Sequence, residues 1–134
     1  MVFVDTSALY ALLDRDDRHH AEAERAWRAL LAPDSGLVTH SYVLVESTAL
    51  VQRRLGPQAV RGLHTDLPRP IATVWVDQRL HELAVAALLG SERRDVSLVD
   101  RVSFELMRQA GIEKAFAFDP GVAHEGFDLV PPVA

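Results

Sequence analysis

Short apolar segments with strand character alternate with segments of helical spacing along nearly the whole chain, and this alternation most constrains the fold. The candidate strands are 2–4, 37–39, 72–76, 115–118 and 128–130. The candidate helices are 6–13, 19–31, 41–55, 58–67, 78–89 and 98–110. Strands that alternate with helices are typical of an α/β fold with a largely parallel sheet. We therefore predict a central, mostly parallel sheet of four to five short strands flanked by helices.

Chain length and residue types narrow the class of protein further. The chain has 134 residues, close to the commonest size of a single domain, so we predict one domain over residues 1–134. It contains no cysteine, which excludes disulfide bonds, thiolate zinc sites and cysteine nucleophiles. The start of the chain has no basic region, and no apolar run approaches the roughly 20 residues of a membrane span. We therefore expect no signal peptide, no membrane segment and a cytoplasmic location.

The formal net charge is −5, which on its face argues against a nucleic-acid partner because phosphate contacts favour a basic surface. A cluster of carboxylates around a divalent cation would weaken that objection, since the ion reverses the local charge. The basic residues are 13 arginines and one lysine. Arginine suits bidentate contact with phosphate, although a genome-wide arginine bias would give the same ratio.

Two aspartates stand where predicted strands end. Asp5 follows Val2-Phe3-Val4, and Asp119 follows the strand that includes Phe118. In parallel α/β sheets, ligand sites form outside the carboxyl ends of the strands. Each acid alone also has a simpler interpretation, because Asp5 can cap a helix and Asp119 can begin a turn with the proline and glycine that follow it.

Two further acids lie within predicted helices. Apolar residues such as Val43 and Leu50 lie at helical spacing from Glu46 and predict that it faces the protein interior. A buried carboxylate is costly unless it is paired or binds a metal. Asp100 lies early in its helix, where the positive end of the helix dipole stabilises an acid. An internal ion pair could also explain Glu46, and dipole complementation alone could explain Asp100.

Together the four acids indicate more than each does alone. Hard divalent cations such as Mg²⁺ and Mn²⁺ prefer oxygen ligands, and the chain offers these carboxylates without cysteine or regularly spaced histidine. Such an ion can lower the pKa of a bound water and stabilise charge that develops on a phosphate. The set therefore indicates phosphodiester cleavage without a protein nucleophile. The candidate catalytic and metal-binding residues are Asp5, Glu46, Asp100 and Asp119.

The segments around these acids resemble the PIN-domain family, and within it the VapC-type toxins of bacterial toxin–antitoxin pairs. The resemblance covers nearly the whole chain and implies a PIN-like α/β/α sandwich. The segments that carry it are Val2-Phe-Val-Asp-Thr-Ser-Ala-Leu9, Val45-Glu-Ser47, Ser97-Leu-Val-Asp-Arg-Val-Ser-Phe104 with Met107-Arg-Gln-Ala-Gly-Ile112, and Phe118-Asp119 followed by Gly126-Phe127.

The resemblance also implies an activity, a cofactor and partners. It implies a Mg²⁺- or Mn²⁺-dependent endoribonuclease that forms a homodimer, with the four acids as the metal ligands and a small antitoxin protein as partner. Thr6 or Ser7 would orient the first acid, although either hydroxyl can also cap the first helix. Asp95 and Ser97 are candidates for supporting the acids, and Asp95 can equally be an ordinary loop residue.

Three arginines are candidates for contact with the RNA backbone: Arg101, Arg53 and Arg93. Exposed helix ends would explain Arg53 and Arg93 equally well, and Arg101 could simply face solvent. Related toxins often carry His and Phe after the last acid, where this chain has Gly121 and Val122. This departure affects the expected positioning of substrate near Asp119 and does not affect the expected metal ligands.

Other functions compete with this interpretation. The main alternative is a catalytically weak PIN-like module that binds RNA or protein without cutting, and a structure-specific DNA nuclease is a closer relative. A receiver-type signalling domain would need a mid-chain phosphoacceptor aspartate and a late lysine. Lys114 is the only lysine, and no suitable aspartate precedes it.

The aromatic and histidine side chains have plainer interpretations. We interpret Trp27 and Trp75 as residues of the core or of a dimer interface. His19 and His20 are adjacent and are interpreted as a solvated helix start. His40, like the other isolated histidines, lacks ligand spacing and is interpreted as a structural or surface residue.

Overall fold

A computed structural model describes residues 1–32, 36–67 and 70–133. Five strands form one sheet in the order β3-β2-β1-β4-β5, and every pair is parallel. The strands are β1 (Val2–Val4), β2 (Leu37–His40), β3 (Ile71–Val74), β4 (Lys114–Phe116) and β5 (Asp128–Val130). The predicted parallel α/β fold is thereby confirmed.

Seven helices flank the sheet within the described residues. They are α1 (Thr6–Leu13), α2 (His20–Leu30), α3 (Ser41–Leu55), α4 (Pro57–Thr65), α5 (Gln78–Leu89), α6 (Leu98–Ala110) and α7 (Pro120–His124). Strand β1 lies at the centre, where Phe3 pairs with Val38 on one side and Ala115 on the other. Phe3 and Val4 are almost fully buried, as expected of a central strand covered on both faces.

Four strand-to-helix junctions lie at the carboxyl edge of the sheet, and each has a side chain that caps the following helix. Asp5 accepts from the Ser7 amide, His40 from the Val43 amide, Asp77 from the Leu80 amide and Asp119 from the Gly121 amide. The same edge therefore gathers polar side chains whose positions are fixed by the helix starts.

Helix α3 is capped by His40 and not by Ser41, its first residue, which the sequence offers as a cap. Strand β2 runs one residue further than predicted, so His40 occupies the cap position and its Nδ1 accepts from the Val43 amide at 3.3 Å. Ser41 is instead buried, and its hydroxyl accepts a hydrogen bond from the Val76 amide at 2.9 Å.

Two strand ends and one turn also differ from expectation. Strand β3 ends at Val74 and β4 at Phe116, both two residues early, and Phe118 donates its amide to a side chain, the Ser7 hydroxyl. The predicted turn at Asp119 is the start of the short helix α7, because Pro120 suits the first helical position and Asp119 caps it.

Two side-chain interpretations are corrected as well. Trp75 is 75% exposed, which excludes the core but not the predicted alternative of a dimer interface. Trp27 packs on the core against Phe116, with ring centroids 6.3 Å apart. The start of α2 is not simply solvated: His19 stacks on Phe118 at 4.5 Å, and both are half-buried. No helix in the described part of the chain is long and apolar enough to cross a membrane.

Candidate active site

Asp5 is the most deeply buried acid of the candidate site, with 6% of its surface exposed. Its Oδ2 accepts two hydrogen bonds from Ser7, one from the amide at 3.1 Å and one from the hydroxyl at 2.6 Å. The Ser7 hydroxyl oxygen in turn accepts a hydrogen bond from the Phe118 amide at 2.9 Å. Ser7 therefore ties the carboxylate at the end of β1 to the backbone immediately before Asp119.

Burial raises the pKa of Asp5 to about 6 from its ordinary value of 3.8. The two hydrogen bonds from Ser7 partly offset this rise because they stabilise the charged form. The negative charges of Asp100 and Asp119 raise the Asp5 pKa further. The three aspartates thus lie near one another at the carboxyl edge of the sheet, and the space among them and Glu46 is called the cleft.

Asp100 occupies the third position of α6 and belongs to a capping box. Its Oδ2 accepts from the Ser97 amide at 2.9 Å, while the Ser97 hydroxyl accepts from the Asp100 amide at 3.1 Å. Partial burial raises the pKa of Asp100, and the charge of Asp119 adds to this, whereas Ser97 and the nearby Arg101 act in the opposite sense. Ser97 is the cap of α6, and the prediction that Asp100 lies early in this helix is confirmed.

Glu46 was predicted on the buried face of its helix, and this was wrong, because its residue is exposed. The buried face of α3 is centred on Val43, Ser47 and Val51, and Glu46 lies roughly 100° from that centre at 100° per residue. The carboxyl group is nonetheless partly desolvated, which raises its pKa, and the charge of Asp100 adds to the rise. Glu46 therefore reaches the cleft from its solvent-exposed rim.

Thr6 lies between the first acid and the glutamate. Its hydroxyl is near enough to Glu46 to lower the pKa of that carboxyl slightly, but the two groups do not reach ordinary hydrogen-bond geometry. The Thr6 hydroxyl is buried and has no hydrogen-bond partner among the described residues. A buried hydroxyl without a partner needs an explanation, and a polar ligand in the cleft would supply one.

The three aspartates share one geometric property. Asp5 and Asp100 each use Oδ2 for their helix cap, and Asp119 uses Oδ1, which accepts from the Gly121 amide at 2.9 Å. The second carboxylate oxygen of each accepts no hydrogen bond from any residue that the structure describes. One oxygen thus fixes the side chain, and the other is available for a ligand.

The acids share a cleft but do not form a ready-made cage. Within residues 1–32, 36–67 and 70–133, no three His, Asp or Glu side chains are gathered closely enough to hold a metal ion. Burial is the main cause of the raised pKa values of Asp5, Asp100 and Glu46, and repulsion from neighbouring aspartates adds to it. The donor set itself, all carboxylate and hydroxyl oxygen, suits Mg²⁺ or Mn²⁺.

Asp95 does not belong to this cleft. It is exposed in the loop before α6 and pairs with Arg93 at 2.9 Å, which lowers the pKa of the Asp95 carboxyl. The same guanidinium lies 3.9 Å from Glu125. The simpler interpretation of Asp95 as a loop acid is therefore favoured, and Arg93 already has carboxylate partners.

The other two arginines differ in their surroundings. Arg53 is exposed in the last turn of α3. Arg101 donates to the Ser91 hydroxyl at 3.0 Å, and its Nε is buried without a partner among the described residues. Of the three arginines, Arg101 is the one whose charge acts on an acid of the site, because it lowers the pKa of Asp100. Sequence reasoning missed Ser91, since a lone serine in a polar loop carries no signal for a partner ten residues away.

Comparison with known proteins adds independent information. The family model described as the PIN domain matches residues 2–126. The 23S rRNA-specific endonuclease VapC20 of Mycobacterium tuberculosis, in strains CDC 1551 and H37Rv, is 35% identical over 133 residues, which is 98% of this chain and 99% of that protein. The crystal structure of M. tuberculosis VapC20, described as a sarcin–ricin loop cleaving toxin, superposes with a TM-score of 0.86 at 33% identity. That match covers 95% of this chain and 96% of the other.

Proposed function

This chain belongs to the PIN-domain family, and on that basis we propose that it is an endoribonuclease that depends on a divalent metal ion. The observation that carries the proposal is the buried Asp5 carboxyl, which lies within the field of Asp100 and Asp119 at one edge of a parallel sheet. Burying an acid among like charges is costly for folding, so a cation or a positively charged ligand is the natural complement.

The metal ligands in this proposal are the four acids of the cleft, with the Thr6 hydroxyl beside them. All are hard oxygen donors, and three aspartates each keep one oxygen free of hydrogen bonds from the described residues. When bound, Mg²⁺ or Mn²⁺ would lower the pKa of a water and stabilise negative charge that develops on a phosphate. The proposed ligands are Asp5, Glu46, Asp100 and Asp119.

The protein's own contribution is to hold these oxygens in place. Ser7 fixes Asp5 through Oδ2 and joins it to the Phe118 backbone, and the capping box fixes Asp100. Glu46, on the rim, is the most exposed of the four acids and so the one that an RNA strand entering from solvent would meet first. Arg101 lies near enough to Asp100 to lower its pKa and could contact a phosphate at the same rim.

RNA is the proposed substrate because identity to the 23S rRNA-specific endonuclease VapC20 extends over almost the whole of both chains. We propose ribosomal RNA as the first substrate to test. We further propose a single domain over residues 1–134, a toxin role with a cognate antitoxin protein, a homodimer and a cytoplasmic location. The described toxin activity of VapC20 supports the toxin role.

The test is cleavage of purified ribosomal RNA with Mg²⁺, with Mn²⁺ and with a chelator, comparing wild type, Asp5→Asn and Asp95→Asn. Wild type is expected to cut RNA only with metal. Asp95→Asn is expected to behave like wild type, because Asp95 is exposed and paired with Arg93 outside the cleft. Asp5→Asn is expected to lose at least a hundredfold in rate, the order of magnitude for removing a group that stabilises developing charge. RNA binding without metal-dependent cutting by wild type would instead support a non-cleaving PIN-like module.

A further inference from the structure

His40 is completely buried at the carboxyl end of β2, next to the candidate active site. Its Nδ1 accepts a hydrogen bond from the Val43 amide at 3.3 Å, so the ring proton lies on Nε2. Nε2 lies 2.8 Å from the Ser103 hydroxyl, to which it therefore donates, and that hydroxyl donates onward to the Val99 carbonyl at 3.0 Å. Every polar atom of this chain of hydrogen bonds has a partner, and the imidazole is neutral.

The residues that His40 contacts belong to the elements that carry three of the four acids. Its ring stacks on Phe3 of β1, with centroids 5.6 Å apart, and Asp5 follows Phe3 by two residues. The Val43 amide lies in the first turn of α3, the helix that carries Glu46. The contacts of one side chain thus reach both β1 and α3.

The third connection is to helix α6. Ser103 lies one turn after Asp100, and its neighbour in the hydrogen-bond chain, Val99, immediately precedes that acid. A shift of α6 relative to β2 would therefore stretch the bond between His40 and Ser103 and move Asp100 at the same time.

We infer that His40 is a positioning residue that, through Ser103, sets the distances among Asp5, Glu46 and Asp100. This inference rests on the proposed function, since those distances matter for holding a cation. A well-packed apolar side chain would fill the same space without the cost of desolvating an imidazole. Directional hydrogen bonds instead favour one relative placement of the packed elements, a role that buried polar groups have in some proteins.

The experiment measures Mn²⁺ affinity by titration calorimetry, together with kcat and KM for RNA, in wild type and in Ser103→Ala. Ser103→Ala removes the hydroxyl that His40 contacts while leaving the imidazole and its packing in place. We expect Mn²⁺ to bind about tenfold more weakly, the lower end of the effect of losing a direct partner of a metal ligand, because Ser103 acts on the acids through α6 and β2. We expect kcat at fixed Mn²⁺ to fall while KM for RNA stays within about twofold, because Ser103 is buried and therefore not accessible to RNA.

Val51→Ala is the matched control, because Val51 is fully buried at the far end of α3 and contributes only to packing. It should lower stability without changing Mn²⁺ affinity. Equal Mn²⁺ affinity in Ser103→Ala and wild type would overturn this inference but not the proposed function. An equal loss of Mn²⁺ affinity in Val51→Ala would also overturn it, because general destabilisation would then explain the effect. Absence of Mn²⁺ binding by wild type would overturn the proposed function and this inference together.

Discussion

Asp5 combines two demands that conflict at the scale of a single residue. As the cap of α1 it stabilises the fold, but as a buried carboxylate among like charges it opposes folding once ionised. Its pKa is raised in the folded state, so its favourable contribution is complete below pH 3.8 and is lost as the pH rises through about 6. Metal-free protein should therefore carry an electrostatic penalty at neutral pH.

Asp5→Asn should stabilise the metal-free protein at pH 8. Asparagine caps helices about as well as aspartate, and it removes a charge whose penalty is about 3 kcal/mol for this pKa. We expect urea unfolding to give a gain of about 1–3 kcal/mol at pH 8 and almost none at pH 4. A variant less stable than wild type at pH 8 would contradict the view that Asp5 is kept at a cost to folding.

The titration of His40 should have the opposite effect to that of Asp5, because it lowers stability as the pH falls. Burial lowers the pKa of His40 to about 4 from 6.5, so its contribution is complete above pH 6.5 and is lost as the pH falls toward 4. In Asp5→Asn, where residue 5 no longer titrates, we expect a loss of up to about 3 kcal/mol over this range. His40→Leu in the same background should show a flatter curve, and parallel curves would contradict the prediction.

The positions of the three aspartates were predictable because local patterns determine them. Asp5 and Asp119 follow apolar strand segments, and Asp100 follows Ser97 by three residues in the pattern of a capping box. Both patterns can be recognised within a few residues of sequence. The orientation of Glu46 was not predictable, because apolar residues lie on both sides of it and do not show where the buried face of the helix is centred. The burial of His40 was equally hidden, because its partner Ser103 lies 63 residues away.

At the scale of elements, the contact between the first turn of α1 and the end of β4 determines how the site is assembled. The Ser7 hydroxyl is its side-chain link, donating to Asp5 and accepting from the Phe118 amide, beside a backbone bond from the Asp5 amide to the Phe116 carbonyl at 3.0 Å. The sequence predicted the residue as a candidate for orienting the acid. Its second bond could not be predicted, because it forms only where two strands distant in sequence lie side by side.

Ser7→Ala should therefore affect both stability and acidity. We expect a loss of about 1–3 kcal/mol in the free energy of unfolding, since the partly buried Phe118 amide loses its acceptor. The pKa of Asp5 should rise above that of wild type, because both bonds from Ser7 lower it and the hydroxyl bond is lost. Carbon-13 NMR titration of the Asp5 carboxyl measures this shift.

Ser47→Ala is the control for this change. Ser47 is also buried, but its hydroxyl has no hydrogen-bond partner within the described residues. Its replacement removes no hydrogen bond, so it should not lower stability and should leave the Asp5 pKa unchanged. An Asp5 pKa that stays the same in Ser7→Ala would show that Ser7 does not orient the acid.

At the scale of the whole molecule, strand order brings the acids together. Strand β1 lies between β2 and β4, so Asp5 and Asp119 leave neighbouring strands although 114 residues separate them. Alternation of strands and helices predicted a parallel sheet but not this order, because order depends on packing among distant segments. Strand β4 ends earlier than predicted because the chain leaves the sheet at Phe116 and then leads to Asp119.

The most direct test is diffraction at the manganese absorption edge from crystals soaked in Mn²⁺. The structure places the acids around one cleft without gathering them, so locating the ion tests the site independently of activity. We predict an anomalous peak in contact with Asp5, Asp100 and Asp119 in wild type, and its loss in Asp5→Asn. Ordered Mn²⁺ elsewhere with none at these acids, in protein that cleaves RNA, would contradict the proposed site.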